Sequence, residues 1–241
     1  VRRGEYELKI ERSDNLVIGI LLPSRGVTNM RFAWDLANLM GASTASLVNE
    51  GNVELFVSMQ EGTYIHTNRC DLVEEALKEG CTHTLWLDDD MRFPNTALVH
   101  LLSRDKDIVG ANYVRKGGVC VPTAVKRIAQ IGVEGEGCIT HPDSTGLEEV
   151  DAVGFGCVMV KAKIFNDVEF PWFECYRDRD GDRWVGEDVS FCMKAKEKGY
   201  QTWVDHDLSH EVAHVGSWEY RNEHHDIVVA ELGRDSEADS K

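Results

Sequence analysis

Short apolar runs alternate with longer amphipathic stretches over the first 110 residues, and this alternation limits the fold more than any other feature. Residues 16–22 and 84–87 are apolar runs of strand length, and 53–59 and 107–111 also read as strands. Runs this short, closed by turn residues, read as strands buried in a sheet. Between them, residues 29–47, 68–79 and 95–102 carry helical spacing. In the second of these, Asn68 reads as an N-cap with Asp71 three residues on. Leu72, Val73, Ala76 and Leu77 then form one apolar face, and Gly80 is the stop. Strands alternating with helices predict an α/β fold with a parallel, doubly wound sheet. Such sheets bind ligands at the carboxyl ends of their strands.

Beyond residue 110 the rhythm changes. Residues 119–131 and 150–161 read as strands joined by Gly-rich turns, and 170–184 as a loop dense in aromatics and charge. A helix is expected from Glu187 to a stop at Gly199, a strand over 201–204, a last helix over 218–232 and a polar, disordered tail over 233–241. The length of 241 residues suits one domain over 1–232, and 42% hydrophobic residues suffice for its core.

A net charge of −16 argues against broad docking on nucleic acid, though not against a local basic groove. No apolar run reaches about 18 residues, so no membrane span is expected. Val1-Arg2-Arg3-Gly4 lacks the apolar stretch of a signal peptide. Seven scattered cysteines without a CxxC pair fit reduced thiols and a cytoplasmic location.

Asp88-Asp89-Asp90 closes the apolar run Thr84-Leu85-Trp86-Leu87. Three carboxylates at the mouth of a buried strand are costly unless a positive group binds them. A divalent cation with a phosphate-bearing substrate on its far side meets that need; a solvated acidic turn is the bland reading. Gly186-Glu187-Asp188 opens a helix, where the dipole favours carboxylates and can keep a general base ionised. His206, His210 and His214 fall within nine residues and suggest a metal or phosphate contact. Asp178-Arg179-Asp180-Gly181-Asp182 looks like half a calcium loop, but Val189 stands where the twelfth-position Glu belongs, so a charged loop is expected.

The order Pro23-Ser24-Arg25, Asn68-Arg69, LWLDDDMRFP, VGFGCVMVK, VGEDVSFCMKAKEKGY and His214-Val215-Gly216 resembles glycosyltransferases of the GT-A fold. The likeness is to the family 2 type and its short bacteriophage-encoded versions, and it spans roughly residues 16–220. It implies a mixed, mainly parallel Rossmann-like sheet with a small antiparallel acceptor-side subsheet. Residues 1–110 would form the nucleotide-binding half and 111–232 the acceptor and catalytic half. It further implies that Pro23, Ser24, Arg25, Arg69, Asp71, Asp89, Gly154, Gly156 and Gly186 line the donor site. Asp88 and Asp90 correspond to the DxD motif that binds Mn²⁺ or Mg²⁺, with His214, preferred to His210, completing the site. Asp188 corresponds to the base of inverting members and Glu187 to its neighbour.

The implied reaction moves a sugar from a nucleotide-sugar, a UDP-sugar by preference, to an acceptor hydroxyl. The loop over 176–184 would close over the site. No QxxRW-like motif is present, which argues against a processive synthase. The acceptor is open between a hydroxymethylated base in phage DNA, in the host cytoplasm, and a glycan or protein. Arg115-Lys116 and Lys126-Arg127 offer a modest basic track, and Trp172, Phe173 and Tyr176 offer stacking rings or local core. A nucleotidyltransferase of related fold is disfavoured by Pro-Ser-Arg-Gly-Val-Thr after the first strand, where a Gly-rich, Lys-containing loop is usual. A non-catalytic Rossmann-like module would bind neither metal nor nucleotide.

Overall fold

The computed structural model describes residues 16–48, 53–116, 120–128, 135–177, 184–216 and 219–223. Within these the chain runs β1 (Leu16–Ser24), α1 (Met30–Ser43), β2 (Val53–Glu61), α2 (Ile65–Lys78), β3 (His83–Leu87), β4 (Met91–Arg92), α3 (Ala97–Ser103) and β5 (Ile108–Gly110). It continues with β6 (Val125–Lys126), β7 (Glu136–Gly137), β8 (Leu147–Val150), β9 (Cys157–Lys161) and α4 (Ile164–Asp167). The last elements are β10 (Tyr176–Arg177), β11 (Trp184–Val185), α5 (Glu187–Glu197), β12 (Thr202–Asp205), α6 (His206–Ser209), β13 (Ala213–Val215) and β14 (Glu219–Tyr220).

Seven strands form the central sheet in the order β2-β1-β3-β9-β5-β12-β8. The pairs β1–β2, β1–β3 and β5–β12 are parallel, while β9 is antiparallel to both β3 and β5, and β8 is antiparallel to β12. Five strands therefore point one way, and β9 and β8 oppose them. This is a mixed, mainly parallel α/β sheet with small antiparallel sheets beside it, such as β14-β13-β4.

Both faces of the sheet are covered. Alternation along β1 and β3 sends Leu21 and Trp86 to one side, with Leu72, Val73 and Phe191 from α2 and α5. Ile20 and Leu85 go to the other side, with Phe32, Leu39, Leu98 and Leu101 from α1 and α3. Strands buried on both faces read as continuous apolar runs, which is why they were visible in the sequence.

Several boundaries differ from expectation. Helix α1 ends at Ser43 and passes into a π-helical turn, Thr44–Val48. Helix α2 begins at Ile65, so Asn68 is not its N-cap. Asn68 is buried inside the helix, where its Nδ2 donates to Ser24 O at 3.1 Å and Gly62 O at 3.2 Å. The amide pins the ends of β1 and β2 instead of capping a helix. The expected strand over 150–161 splits into the end of β8, a turn and β9. The aromatic stretch 170–184 contributes to the antiparallel strand pair β10–β11.

The helix expected from 218 is a strand at its start: Glu219–Tyr220 pairs with His214 and Val215. Its residues 224–232, the tail 233–241 and the charged loop Asp178–Asp182 lie outside the described residues. All seven cysteines are free thiols, and all but Cys175 are buried. No described helix is long and apolar enough to cross a membrane.

Candidate active site

Strand β3 is buried from Thr84 through Leu87 and delivers Asp88, Asp89 and Asp90 at its carboxyl end. Each of the three meets a different partner. Asp88 Oδ1 accepts from Arg69 Nη2 at 2.8 Å. Asp89 Oδ2 accepts from Ser24 Oγ at 2.5 Å, and its carbonyl accepts from Thr28 Oγ1 at 2.8 Å. Asp90 Oδ2 pairs with the Lys116 ammonium, and its Oδ1 lies 3.3 Å from His214 Nε2. The triplet is therefore a junction between the end of β1, helix α2, the segment after β5 and strand β13, rather than a solvated turn.

Strand β13 pairs with β4, which places His214 opposite Met91, one residue past Asp90. His214 Nδ1 faces Val114 O at 3.1 Å, an arrangement that points Nε2 at the carboxylate. His210 is exposed and contacts Ser144 O at 2.9 Å. His206 is buried elsewhere, so the three histidines serve three different places.

Arg69 is the centre of the site's charge balance. Its side chain is 3% exposed and reaches Asp88 with Nη2 and Glu187 Oε1 with Nε, the latter at 3.4 Å. The rings of Trp86, Phe155 and Phe173 surround the guanidinium at 5.4–5.9 Å from its carbon. Nη1 is buried without a hydrogen-bond partner. Burial alone would lower the pKa of Arg69, but Asp88, Glu187 and Asp188 outweigh it and raise it.

Burial pushes the Asp88 carboxyl up; Arg69 opposes this, while Asp90 and Glu187 add to it. Burial acts against ionised Asp90 as well, yet hydrogen bonds from His214 and Lys116 bring its pKa below the ordinary value. Asp188, in the first turn of α5, is pushed up to about 6 by burial and by adjacent Glu187. Its Oδ1 accepts from Val189 N at 2.8 Å.

Glycines 154 and 156 admit a tyrosine that the sequence did not single out. A Cβ on Gly154 would meet the Tyr113 hydroxyl at 2.7 Å, and one on Gly156 would meet it at 2.6 Å. Gly156 N–H donates to that hydroxyl at 3.0 Å. Burial, then Asp88 and Asp188, raise the Tyr113 phenol well above its usual value. Tyr113 thus lies within electrostatic reach of both Asp88 and Asp188. Its sequence signal was slight: a polar-tipped aromatic three residues past a short buried strand. In the sequence Lys116 stands out only as half of the basic pair Arg115-Lys116.

The remaining expected site residues distribute as follows. Pro23 and Ser24 are buried at the end of β1, and Arg25 is exposed beside them. Gly186 is the N-cap of α5. Asp71 is exposed and two residues beyond Arg69, hence on roughly the opposite side of α2, and the structure does not bring it to the site. Trp172 and Phe173 are core: both are buried, and Phe173 stacks on Phe191 with centroids 4.9 Å apart. Lys126 pairs with Glu148 and Arg127 with Glu136, each at 2.5 Å. With Lys116 on Asp90, these residues do not form an uncompensated basic track.

Among the described residues, the group of three metal-type ligands gathered within 4.8 Å is Cys138, Glu148 and His206, not Asp88, Asp90 and His214. Arg69 and Lys116 hold the two aspartates on separate partners. Two carboxylates and an imidazole still suit a hard divalent ion that keeps several positions for substrate phosphates.

No family model matches the chain. No curated protein matches it either. Among solved structures, A197 from STIV is similar at 16% identity with a TM-score of 0.52, over 83% of this chain and 86% of that one. This likeness shows a shared fold. The nucleoside-diphosphate-sugar pyrophosphorylase from Vibrio cholerae RC9 resembles it more loosely, at 14% identity and a TM-score of 0.42 over 81% of this chain and 94% of that one.

Proposed function

We propose that this chain is a metal-dependent glycosyltransferase of the GT-A type that moves a sugar from a nucleotide-sugar, by preference a UDP-sugar, to an acceptor hydroxyl with inversion. The observation that carries the reading is Asp188. It stands in the first turn of α5 next to Glu187, and Arg69 reaches both Glu187 and Asp88, so the α5 carboxylates lie beside the end of β3. Burial there raises the Asp188 carboxyl. A hydroxyl nucleophile needs a base of that kind as it attacks. A sugar phosphate, the nucleophile of a nucleotidyltransferase, arrives already ionised and needs none. The need for such a base is what supports glycosyl transfer here.

Asp88, Asp90 and His214 would hold Mn²⁺ or Mg²⁺. When bound, the ion neutralises the charge that develops on the departing nucleoside diphosphate. The chain's own residues supply the rest. Arg69, with one guanidinium nitrogen unpaired, offers a buried positive charge beside the diphosphate position. Tyr113 fills the space that Gly154 and Gly156 leave and fixes the backbone on which Asp88 rests, since Asp88 N–H donates to Gly156 O at 3.2 Å. Ser24 and Thr28 hold Asp89 at the mouth of β1. The paired state of Lys116, Lys126 and Arg127 favours a small or neutral acceptor over a DNA duplex.

A thermal-shift panel of UDP-, GDP- and dTDP-sugars with and without Mn²⁺ tests the reading. Donor at a hundred times its dissociation constant adds about 2.7 kcal/mol, or about 5–10 °C for a chain of this size. The shift is expected with one nucleotide class, only with metal, and not in Asp90→Ala. Incubation with the matching donor should release nucleoside diphosphate. Release of pyrophosphate from a nucleoside triphosphate and a sugar phosphate would install the nucleotidyltransferase instead. No shift with any donor would remove both.

A further inference from the structure

Cys138, Glu148 and His206 lie outside the crevice just described. Glu148 is on the edge strand β8, separated from β3 by four strand steps, about 19 Å across the sheet. His206 opens α6 at the end of β12, and Cys138 follows β7. We propose that these three side chains form a second metal site, for Zn²⁺, distinct from the Asp88–Asp90 site.

The carboxylate oxygens of Glu148 are divided between two duties. Oε1 takes the Lys126 ammonium at 2.5 Å. Oε2 takes both His206 Nε2, at 2.9 Å, and Cys138 Sγ, at 3.5 Å. Imidazole, thiol and carboxylate thus converge on one point from three separate segments, with all ligand atoms within 4.8 Å of one another. In a tetrahedral zinc site with bonds of about 2.0–2.3 Å, neighbouring ligand atoms stand about 3.3–3.5 Å apart. The Sγ–Oε2 separation already has that value, and the Nε2–Oε2 pair need open by only about 0.4 Å to reach it.

The surroundings are built for ligation. His206 is 4% exposed and Cys138 0%, so neither samples many orientations. The Thr140 hydroxyl lies 3.0 Å from His206 Nδ1 and is itself held by Asn112 Nδ2 at 3.1 Å. With Nδ1–H donating to Thr140, the lone pair of Nε2 faces the cluster, the outer contact that orients a ligating histidine. Asn112 Nδ2 also donates to Cys138 O at 2.7 Å, so one amide fixes two ligand segments. The Glu148 side chain is 38% exposed, which leaves an entry path and an open fourth position for water. A thiolate–imidazole–carboxylate set selects zinc over the harder Mg²⁺ or Mn²⁺ of the other site. On binding, the thiol proton is released to solvent, the imidazole proton sits on Nδ1, and Zn²⁺ takes the place between the ligands.

Cobalt(II), titrated into the full chain after chelator treatment, serves as the probe. The wild type is expected to develop a near-ultraviolet thiolate-to-cobalt band that saturates at one equivalent and is displaced by Zn²⁺. Cys138→Ser should abolish the band. Glu148→Gln, a partly exposed change that leaves the fold intact, should weaken cobalt affinity by at least about tenfold. Asp90→Ala should change neither, which separates this site from the donor-site metal. Absence of a thiolate band in the wild type overturns the proposal without recourse to any variant. So does a band that survives Cys138→Ser, an affinity unaltered in Glu148→Gln, or a band lost in Asp90→Ala.

Discussion

Replacing Arg69 by methionine removes a cation that touches carboxylates at both the start of α5 and the end of β3. The side chain is 3% exposed, against 25% for Asp88 and 15% for Glu187. Breaking a buried ion pair by deleting one partner costs about 3–5 kcal/mol, because the other charge is left uncompensated. Water still reaches both carboxylates in part, which places the cost near about 3 kcal/mol. For a chain of this size that is a Tm lower by about 6–12 °C.

The pH dependence gives the sharper test. Burial, Asp90 and Glu187 already push the Asp88 carboxyl up, and Arg69 is the group that opposes them. Without it, the folded variant holds protons that the unfolded chain releases. A group whose folded pKa is raised contributes stability at low pH and loses it as pH rises. The deficit relative to wild type is therefore expected to be largest at pH 7.5 and to shrink toward pH 5. Urea unfolding of both chains across that range measures it. A deficit below about 1 kcal/mol, or one that does not vary with pH, would refute the role given to the guanidinium.

Other consequences are as direct. Asp188→Asn should lower kcat by about 10²–10⁴-fold, and wild-type activity should fall on the acid side with a limb near pH 6. Because burial raises the folded pKa of Asp188, its ionised form costs stability above that pH. The same variant should thus be more stable than wild type at pH 8, with the gap closing as pH falls toward the ordinary carboxylate value of 3.8. Tyr113→Phe leaves the buried Gly156 N–H without its acceptor and should cost about 1–3 kcal/mol, read by thermal unfolding. Gly156→Ala drives a methyl group against the Tyr113 hydroxyl and Met91 Sδ, with a comparable cost of about 1–3 kcal/mol and a loss of donor-induced stabilisation.

The first half of the fold was legible because β1, β3 and β5 are buried on both faces and stand out between turn residues, while the edge strand β2 shows as an alternating one. The carboxylate triplet was legible for the same reason: three charges directly after Leu87 break the run abruptly. Asn68 misled because a cap and a buried interior amide look alike until the loop it serves is placed beside it. Position 219 misled because a two-residue strand has no period to read. Tyr113 and Lys116 join the site through pairing with residues over twenty positions away, and nothing local marks that. The Cys138, Glu148 and His206 group has no motif spacing at all. It exists only because β8 pairs antiparallel with β12, setting Glu148 opposite Val204, two residues before His206.

That β9 lies between β3 and β5 has a consequence for how the chain is born. The sheet is not laid down outward from its first strand: β5 leaves the ribosome before the strand that will join it to β3. Until Lys161 has emerged, Asp88 lacks the Gly156 carbonyl that receives its N–H, and Trp86 lacks the Phe155 ring beside it. The nascent amino-terminal half therefore carries an open edge on β3 at a time when a neighbouring chain could add to it. That edge stays open from the synthesis of Leu87 until Lys161 has followed.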